Sequence, residues 1–365
     1  MSNMHARANE AGARAPRAPL AATSGSVLFL AHDPGLPSFR YRMAPAIDVL
    51  SRQGIPCRVE RVPRGRYGRR IWDLRAALRE ASAVVLAKIQ LNPPEAWLLR
   101  RFARHLILDI DDAIYAGKPR KPLGDAENSW WRRTKFAATC RSAELVIAGN
   151  RHLADVVKPL GTRVEIVPTP VDCDRYRPSK PDPPRPLRLV WIGLPENLIY
   201  LEMLRPVIGK LQKSWPDLKL RVICSRFPDW GDPLIEPVQW SPQSEVPALG
   251  SADVGIMPLT DNEWTRGKCA FKLLQYMAAG LPCVASPVGA SREAITDEYN
   301  GFLATTPSEW HEALCRLLAS AELRASFGQR GLERVRDQYD VPGIARRTAA
   351  LIAAAANSAG PALVK

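Results

Sequence analysis

The sequence predicts an α/β protein built from two Rossmann-like, doubly wound parallel-sheet domains that face each other across a cleft. Its 365 residues exceed one ordinary domain and suit two. Short, continuous apolar runs alternate with amphipathic segments, which is typical of parallel strands covered by helices on both faces. A proline-rich segment divides this alternation into two halves, so each half is expected to form its own sheet.

The composition is that of a globular protein, with 46% hydrophobic and 24% charged residues, and it excludes the disordered and fibrous classes. No apolar run is long enough to predict a transmembrane helix. Residues 1–25 are rich in Ala, Arg and Pro without an apolar core, which predicts a disordered tail rather than a secretory signal. Seven cysteines without a C-x-x-C pair argue against a disulfide framework or a zinc site and favour a reducing cytoplasm.

Twelve apolar runs are the predicted strands, six on each side of the proline-rich segment. The first six are 26–33, 56–62, 82–89, 105–112, 144–150 and 164–170, and the second six are 187–193, 218–225, 237–240, 252–259, 282–289 and 301–305. Helical patterns lie between the strands, and the chain is predicted to be helical from about Ser308.

These elements predict an N-terminal Rossmann-like domain over 26–178, a linker over 179–186 and a C-terminal Rossmann-like domain over 187–340, followed by a C-terminal helix over 341–365. Ligands of open parallel sheets bind at the carboxyl ends of the strands. The functional residues are therefore expected in the cleft between the two domains.

Residues 252–304 carry the most specific pattern. A buried strand is followed by a polar loop and by a helix predicted from about Cys269 to Gly280, a glycine suited to the position after a helix. Lys268 lies at the predicted start of this helix, and Lys272 is expected one turn further on. Free backbone N–H groups and two ammonium groups together predict a pyrophosphate site.

Four segments of the sequence resemble the family 4 glycosyltransferases. They are Asp253-Val254-Gly255, the block KLLQYMAAGLPCVASPVG, the segment NGFLA and the segment VPTPVDCDRYRP at 167–178. The resemblance covers most of the chain beyond residue 26 and implies the twin-domain GT-B fold. It also implies an acceptor-binding first domain, a second domain that binds the nucleotide sugar, and catalysis without a metal or other cofactor.

The sequence departs from this family at two glutamates that lie eight residues apart and contact the donor. The resemblance places them at Gly267 and Gln275. Gln275 can still hydrogen-bond the ribose hydroxyls, although without charge. Gly267 offers no side chain to the sugar, so Glu263, four residues upstream, is expected to act as its catalytic substitute.

The family also places a basic pair after the first strand of the second domain, where this sequence has none. We therefore expect Arg266, Lys268 and Lys272 to neutralise the diphosphate, with Gly193 at the end of that strand completing the donor contacts. The alternative is that Arg266 or Lys272 is an ordinary solvated charge.

In the first domain, His32 closes the first predicted strand and is a candidate catalytic residue. Arg40 and Arg42 follow in the next loop as candidate contacts to acceptor or phosphate. Asn150 follows the fifth strand, where it suits either a helix N-cap or the same kind of contact.

Three aspartates end the fourth predicted strand. Asp109 and Asp111 are expected to share one direction, with Asp111 as a catalytic candidate, while Asp112 leads into the loop as an acceptor contact. The pair also imitates the metal-binding D-x-D motif of another glycosyltransferase fold. That fold has a single mixed-sheet domain, which the strand pattern does not predict.

The net charge of +14 lies entirely in the first half, where residues 1–180 hold 31 Lys and Arg against 17 Asp and Glu. This asymmetry suggests contact with an anionic membrane or a polyanion. Trp130 and Trp131, beside basic residues, and the arginine-rich segment 58–70 suggest a peripheral contact with the inner face of the plasma membrane. Nothing resembles an RNA-binding motif or a DNA-recognition helix, which argues against a nucleic-acid partner.

The sequence therefore predicts a cytoplasmic glycosyltransferase of the hexosyl type. It would transfer a sugar from a nucleotide-diphosphate sugar to the hydroxyl of a glycan or lipid-linked acceptor in cell-surface polysaccharide or glycolipid synthesis, with retention implied by the resemblance. The alternatives are a non-catalytic GT-B subunit that binds a partner transferase or a glycan, and an epimerase or phosphorylase on the same fold. The donor sugar, the nucleobase, the acceptor and the oligomeric state stay open.

Overall fold

The computed structural model describes residues 25–119, 124, 127–177, 185–231 and 234–358. The predicted tail, apart from Gly25, and most of the predicted linker lie outside these residues. The described part of the chain forms two six-stranded sheets in which every strand pairing is parallel.

The first sheet has the strand order β2-β1-β3-β4-β5-β6. Its strands are β1 (Val27–Ala31), β2 (Cys57–Arg61), β3 (Ala83–Ala87), β4 (Leu106–Ile110), β5 (Leu145–Ala148) and β6 (Arg163–Ile166). The second sheet has the order β12-β11-β10-β7-β8-β9. Its strands are β7 (Arg188–Ile192), β8 (Lys219–Cys224), β9 (Ile235–Gln239), β10 (Val254–Met257), β11 (Cys283–Ala285) and β12 (Gly301–Leu303).

The predicted fold class is confirmed, and each strand overlaps one of the twelve apolar runs, although β6 begins one residue before its run and β9 two residues before its run. The reason is burial on both faces, since the residues of β1, β3, β4 and β5 are all buried. A strand covered on both faces needs apolar side chains in both directions, which produces a continuous run rather than an alternating pattern.

Besides short π- and 3₁₀-helical segments, the described residues contain fifteen α-helices. They are α1 (Ala44–Arg52), α2 (Tyr67–Asp73), α3 (Arg75–Glu80), α4 (Pro93–Phe102), α5 (Trp130–Ser142), α6 (Arg151–Val157), α7 (Leu198–Leu201), α8 (Arg205–Leu211), α9 (Pro242–Gly250), α10 (Glu263–Arg266), α11 (Phe271–Ala278), α12 (Ser291–Ala294), α13 (Pro307–Ala319), α14 (Ala321–Gln338) and α15 (Val341–Asn357). None of the described helices is both long and apolar enough to cross a membrane.

The helices of the first domain cover its sheet from two sides. Buried residues of α2 to α6 pack against one face of the sheet, including Leu99 of α4 and Phe136 of α5. Buried residues of α1 and α15 pack against the other face, including Leu50 and Ile352. The C-terminal helix, predicted as a separate segment after the second domain, thus completes the core of the first domain.

The chain crosses between the domains twice, at adjacent points. The amide of Val171 donates to the carbonyl of Tyr339 at 2.9 Å, and the amide of Val341 donates to the carbonyl of Val171 at 3.3 Å. Asp172 orders the first crossing, because its Oδ1 accepts from the amides of Asp174 and Arg175 at 3.1 and 3.0 Å. The two crossings therefore form a paired connection at one end of the cleft.

Candidate functional site

The strand order of the second sheet determines where a ligand can approach its backbone. β7 and β10 are neighbours at the centre of the sheet, and the chain moves outward from them in opposite directions. This reversal opens a crevice at the carboxyl ends of the two strands, where dinucleotide-type ligands bind in doubly wound folds. Gly193 immediately follows β7 and lies at this crevice.

Helix α11 follows β10 after residues 258–270, which include the short helix α10, and begins at Phe271. The prediction of a start near Cys269 was wrong by two residues, because Ala270 adopts a left-handed backbone with φ +52° and interrupts the helix. Lys272 is therefore the second residue of the helix rather than one turn in. The predicted end is confirmed, since Gly280 has φ +74° and its amide donates to the carbonyl of Met277 at 2.9 Å.

Lys272 carries an ammonium group that has no carboxylate partner among the described residues. Its Nζ lies 4.0 Å from the centroid of the Trp191 ring. A β-carbon built on Gly193 would lie 2.6 Å from this Nζ, so only glycine at residue 193 leaves room for it. Burial, with a smaller contribution from the charge of Lys268, lowers the pKa of Lys272 to about 7.

Lys268 lies in the loop before α11, with its Nζ 5.3 Å from the centroid of the Trp264 ring. Burial lowers its pKa, while the carboxylate of Asp112 opposes that shift. Within the part of the chain that the structure describes, no acidic side chain forms an ion pair with Lys268 or Lys272. The two lysines are thus a pair of charges at the crevice that an anion would stabilise.

The loop after β7 carries Glu196 where the resemblance would place a basic pair. Its carboxylate accepts a hydrogen bond from Lys118 Nζ of the first domain at 3.0 Å. Burial opposes the ionisation of Glu196, but the hydrogen bonds to its carboxylate and the charge of Lys118 outweigh burial and lower its pKa. Arg205, the next arginine after β7, instead donates to the carbonyl of Trp230 at 3.4 Å. The contact between Lys118 and Glu196 joins the two domains at the crevice.

The first domain contributes Lys88, which was not among the predicted site residues because it lies inside a predicted strand. It follows β3 with a left-handed φ of +57°, a conformation that is uncommon for a residue with a side chain. Its Nζ lies 2.9 Å from Asp111 Oδ1 and also pairs with Asp112. Burial opposes the ionisation of Asp111, but Lys88 and Arg42 outweigh it and lower the pKa of this carboxyl.

Arg42 and Asp109 form a buried ion pair within the first domain. Arg42 Nη2 donates to Asp109 Oδ1 at 2.6 Å, and both side chains are 2% exposed. Arg42 Nη1 donates to the carbonyl of Val167 and to Thr169 Oγ1 at 3.0 and 3.2 Å. The guanidinium predicted to contact acceptor or phosphate is thus held by protein groups.

The expectation that Asp109 and Asp111 share one direction was wrong. β4 ends at Ile110, so the alternation of a strand does not extend to Asp111. Asp109 pairs with Arg42, whereas Asp111 and Asp112 both contact Lys88. The three carboxylates therefore form ion pairs with two different cations.

The loop before α11 packs directly against the first domain. Asn150 Nδ2 donates to the carbonyls of Arg266 and Lys268 at 3.2 and 3.0 Å, while its Oδ1 caps α6 by accepting from the amide of Leu153 at 2.8 Å. Cys269 Sγ lies 3.1 Å from the carbonyl oxygen of Asp111. Asn150 is thus both the predicted N-cap and a link between the domains.

Gln275 is buried in α11, and its Nε2 lies 2.8 Å from Tyr176 Oη. Tyr176 in turn donates to the buried carboxylate of Glu245, which also accepts from Trp240 Nε1 at 2.7 Å and from Arg175 Nη2 at 3.2 Å. Burial, reinforced by the charge of Glu245, raises the pKa of Tyr176. The chain of contacts connects α11 to the interdomain crossing.

Glu263 begins α10, and its carboxylate points towards the first domain. Glu263 Oε2 lies 3.9 Å from His152 Nε2 and 4.0 Å from Arg133 Nη2. Tyr115 Oη lies 2.9 Å from the same His152 nitrogen. Burial lowers the pKa of His152, against the attraction of Glu263.

Arg266 is exposed and pairs with Asp261, with Nε 2.6 Å from Oδ1. These two side chains line an interdomain cavity of about 730 Å³ together with Arg151, Arg292 and Arg334. Neither Lys268 nor Lys272 lines this cavity.

His32 is half-buried after β1, and its Nδ1 lies 3.1 Å from the carbonyl oxygen of Val62. Because a carbonyl only accepts, the proton is assigned to Nδ1, and burial lowers the pKa of the ring. Arg40 is exposed and donates to Tyr41 Oη at 2.9 Å. The Tyr41 ring packs 4.5 Å from the ring of Phe271 in the second domain.

The architecture matches solved GT-B glycosyltransferases along most of its length. Anabaena HepE in complex with UDP and glucose aligns with a TM-score of 0.65 at 14% identity, over 90% of this chain and 99% of that chain. The sucrose-phosphate synthase of Thermosynechococcus elongatus aligns with a TM-score of 0.69 at 15% identity, over 90% and 98%. The fold is GT-B.

A further solved structure and one family model are also similar to this chain. A glycosyltransferase from Rickettsia africae shares the GT-B fold with a TM-score of 0.67 at 10% identity, over 92% of this chain and all of that chain. Residues 196–320 match the family model described as group 1 glycosyl transferases. This match spans α7 to α13 and includes the loop before α11. No curated protein matches the sequence significantly.

Proposed function

We propose that the protein is a glycosyltransferase that moves a sugar from a nucleotide-diphosphate sugar to an acceptor hydroxyl. The observation that carries this proposal is the pair formed by Lys268 and Lys272 at the crevice between β7 and β10, where two ammonium groups lack carboxylate partners among the described residues. A diphosphate supplies the anion that such a pair lacks, and the group 1 match over 196–320 covers the same region.

In this proposal the two lysines act mainly on the leaving group. As the bond between sugar and phosphate breaks, negative charge grows on the diphosphate, and ammonium groups already in position stabilise that charge without reorganisation. Removing one such group costs on the order of a hundredfold in turnover. UDP is the first nucleotide to test, because HepE was solved with UDP-glucose at a TM-score of 0.66 to this chain.

The acceptor is proposed to bind against the first domain, near Lys88, Asp111 and Asp112. Carboxylates at this place would accept a hydrogen bond from the acceptor hydroxyl and orient it towards the sugar. Lys88 pairs with both carboxylates, and together with Arg42 it lowers the pKa of Asp111, which preserves that carboxylate as an acceptor. Retention of configuration, a hexose as the sugar, and a role in cell-surface polysaccharide or glycolipid synthesis in the cytoplasm are parts of the same proposal.

The first experiment is a thermal-shift panel with UDP, GDP, ADP and their sugars, followed by assay of nucleotide release with glycan and lipid-linked acceptors. Ligand binding to the native state alone stabilises it by about 2.7 kcal/mol at a hundredfold excess over Kd. We expect one nucleotide to shift the melting temperature of the wild type but not of Lys268→Ala. Lys213→Ala, an exposed lysine in the same domain, is the matched control. The absence of any shift with every nucleotide would contradict the proposal.

A second candidate is a non-catalytic GT-B subunit that binds a partner transferase or a glycan. It is favoured by Gly267, which cannot contact a sugar, and by Gln275, whose amide is engaged with Tyr176. The GtfA/B complex shares the fold with a TM-score of 0.59. Nucleotide binding without release of nucleotide from any sugar donor would favour this candidate over the transferase.

A further inference from the structure

The first domain exposes four tryptophans, a residue that is usually well buried in soluble proteins. Trp72 is 54% exposed, Trp97 57%, Trp130 76% and Trp131 46%. Scattered single aromatic residues need no explanation, but a group of four on one surface does.

The four tryptophans lie on α2, α4 and α5, which cover the same face of the first sheet. α4 packs against α2 on one side and α5 on the other. The Trp72 ring lies 6.1 Å from the ring of Phe102 in α4, and the rings of Trp130 and Trp131 stack at 5.8 Å. We call the outer side of α2 to α5 the tryptophan surface.

The tryptophan surface is also strongly basic. Helices α2 to α5 carry ten Lys and Arg against three Asp and Glu. Several of the cations lie over the exposed rings, since the guanidinium of Arg75 is 5.1 Å from the Trp72 centroid and Lys135 Nζ is 5.7 Å from that of Trp131. On the opposite face of the sheet, α1 and α15 carry three Arg and one Asp and no tryptophan.

We propose that the tryptophan surface docks on a bilayer that contains anionic lipids. Tryptophan is enriched at the level of lipid head groups, where its ring is partly in hydrocarbon and its N–H in water. Lys and Arg near the surface add electrostatic attraction to anionic head groups, and this attraction weakens with salt. The combination of exposed rings and unbalanced positive charge matches both components of such an interface.

The tryptophan surface borders the interdomain cleft. α5 begins with Trp130 and Trp131, and Arg133 in the same turn lies 4.0 Å from Glu263 of the second domain. If the protein transfers sugar, as proposed above, this arrangement would bring a lipid-linked acceptor to the cleft from the docked bilayer. The docking itself does not require that activity.

The test is vesicle flotation with the full chain, using phosphatidylcholine alone or with about a third phosphatidylglycerol, a fraction chosen to give the strong anionic surface that basic segments recognise. We expect binding to the anionic vesicles at least about tenfold tighter than to the neutral ones, weakening as salt rises. Trp97→Ala with Trp130→Ala, and Arg79→Glu with Arg132→Glu, should each weaken that binding severalfold. Arg346→Glu with Arg347→Glu, on α15 across the sheet, and Tyr299→Ala in the second domain are the matched controls and should bind as the wild type does.

Three results of the vesicle experiment would overturn the proposal. They are equal binding to neutral and anionic vesicles, no flotation at low salt, and loss of binding in the α15 control as large as in the surface variants. Tighter binding to duplex DNA than to anionic vesicles, insensitive to the tryptophan changes, would indicate a nucleic-acid partner and would also overturn it. The flotation experiment contains no nucleotide, so its failure is distinguishable from failure of the transferase proposal. The melting temperature of each variant confirms that it folds.

Discussion

Gly267 of the second domain lies in direct contact with Ala113 of the first. A β-carbon built on Gly267 would be 2.6 Å from the β-carbon of Ala113 and 2.5 Å from its amide nitrogen. The backbone φ of Gly267 is −74°, so its conformation suits any residue and the close approach alone requires glycine. The resemblance expects a glutamate at residue 267, but Ala113 of the first domain occupies the space that its side chain would need.

Gly267→Ala is expected to separate the two domains at this contact. Backbone atoms cannot move aside as a flexible side chain can, so the added methyl should favour a more open arrangement. Small-angle scattering should show a larger radius of gyration, and Gly267→Glu should show a larger increase still. Gly209→Ala, in α8 with open space around it, should leave the radius unchanged. An unchanged radius in both Gly267 variants would mean that the contact does not hold the domains together.

The lowered pKa of Lys272 predicts how UDP binding depends on pH. Because burial brings this pKa to about 7, the unliganded protein loses the charge as the pH rises from 7 to 9. A bound diphosphate favours the charged form, so binding must take up a proton there, and affinity should fall by up to about tenfold per pH unit. Phosphate groups are already ionised in this range, since their second pKa is about 6.

Calorimetry at pH 7, 8 and 9, in buffers of different ionisation enthalpy, measures this proton uptake. Lys272→Met is the control. We expect this variant to bind UDP more weakly and with a smaller dependence on pH, and the pH dependence that remains should arise from Lys268. A wild-type affinity that is constant from pH 7 to 9 would show that the charge of Lys272 does not contact the ligand.

The buried pair of Arg42 and Asp109 predicts a large loss of stability when one partner is removed. Arg42→Met leaves a carboxylate buried without its cation, which costs about 3–5 kcal/mol in the free energy of unfolding. Adding Asp109→Leu removes the unpaired buried carboxylate and should restore part of the lost free energy of unfolding, which urea unfolding measures. We also expect the double variant to bind UDP as the wild type does. A small loss of stability in Arg42→Met together with weaker UDP binding would instead identify Arg42 as a phosphate contact.

Asn150 both caps α6 and holds the loop before α11, and two substitutions can separate these roles. Asn150→Ser keeps a hydroxyl that can cap α6 but loses the amide that donates to the carbonyls of Arg266 and Lys268. We expect this variant to keep most of its stability but to bind UDP several times more weakly, because the loop that carries Lys268 is less well held. Asn150→Ala should lose about 1 kcal/mol more through the missing cap. Full UDP affinity in Asn150→Ser would contradict a role in positioning the loop.

The strands were predictable from the sequence because burial on both faces leaves a local signal, a continuous apolar run. The pairing of Arg42 with Asp109 leaves no such signal, since the residues are 67 positions apart and meet only through the strand order β1-β3-β4. Lys88 was missed for a related reason, because a lysine at the end of an apolar run does not reveal that its partners follow the next strand.

The candidate site shows the same division between local and long-range information. Lys268 and Lys272 at the start of α11 and Gly280 after its end were singled out from their spacing, and the structure confirms the helix end at Gly280. The helix start was displaced by the left-handed Ala270, a conformation that alanine does not signal. The packing of Gly267 on Ala113 depends on how two domains meet, which local patterns do not encode.

The most direct test of the account is calorimetric titration of UDP into the wild type, into Lys268→Ala with Lys272→Met, and into the Lys213→Ala control at pH 7. Hydrogen bonds to charged groups contribute about 1.5–3 kcal/mol each, so the loss of both lysines should weaken binding by at least about a hundredfold. The control should bind as the wild type does. UDP binding of equal strength in the double variant would contradict a diphosphate site at Lys268 and Lys272.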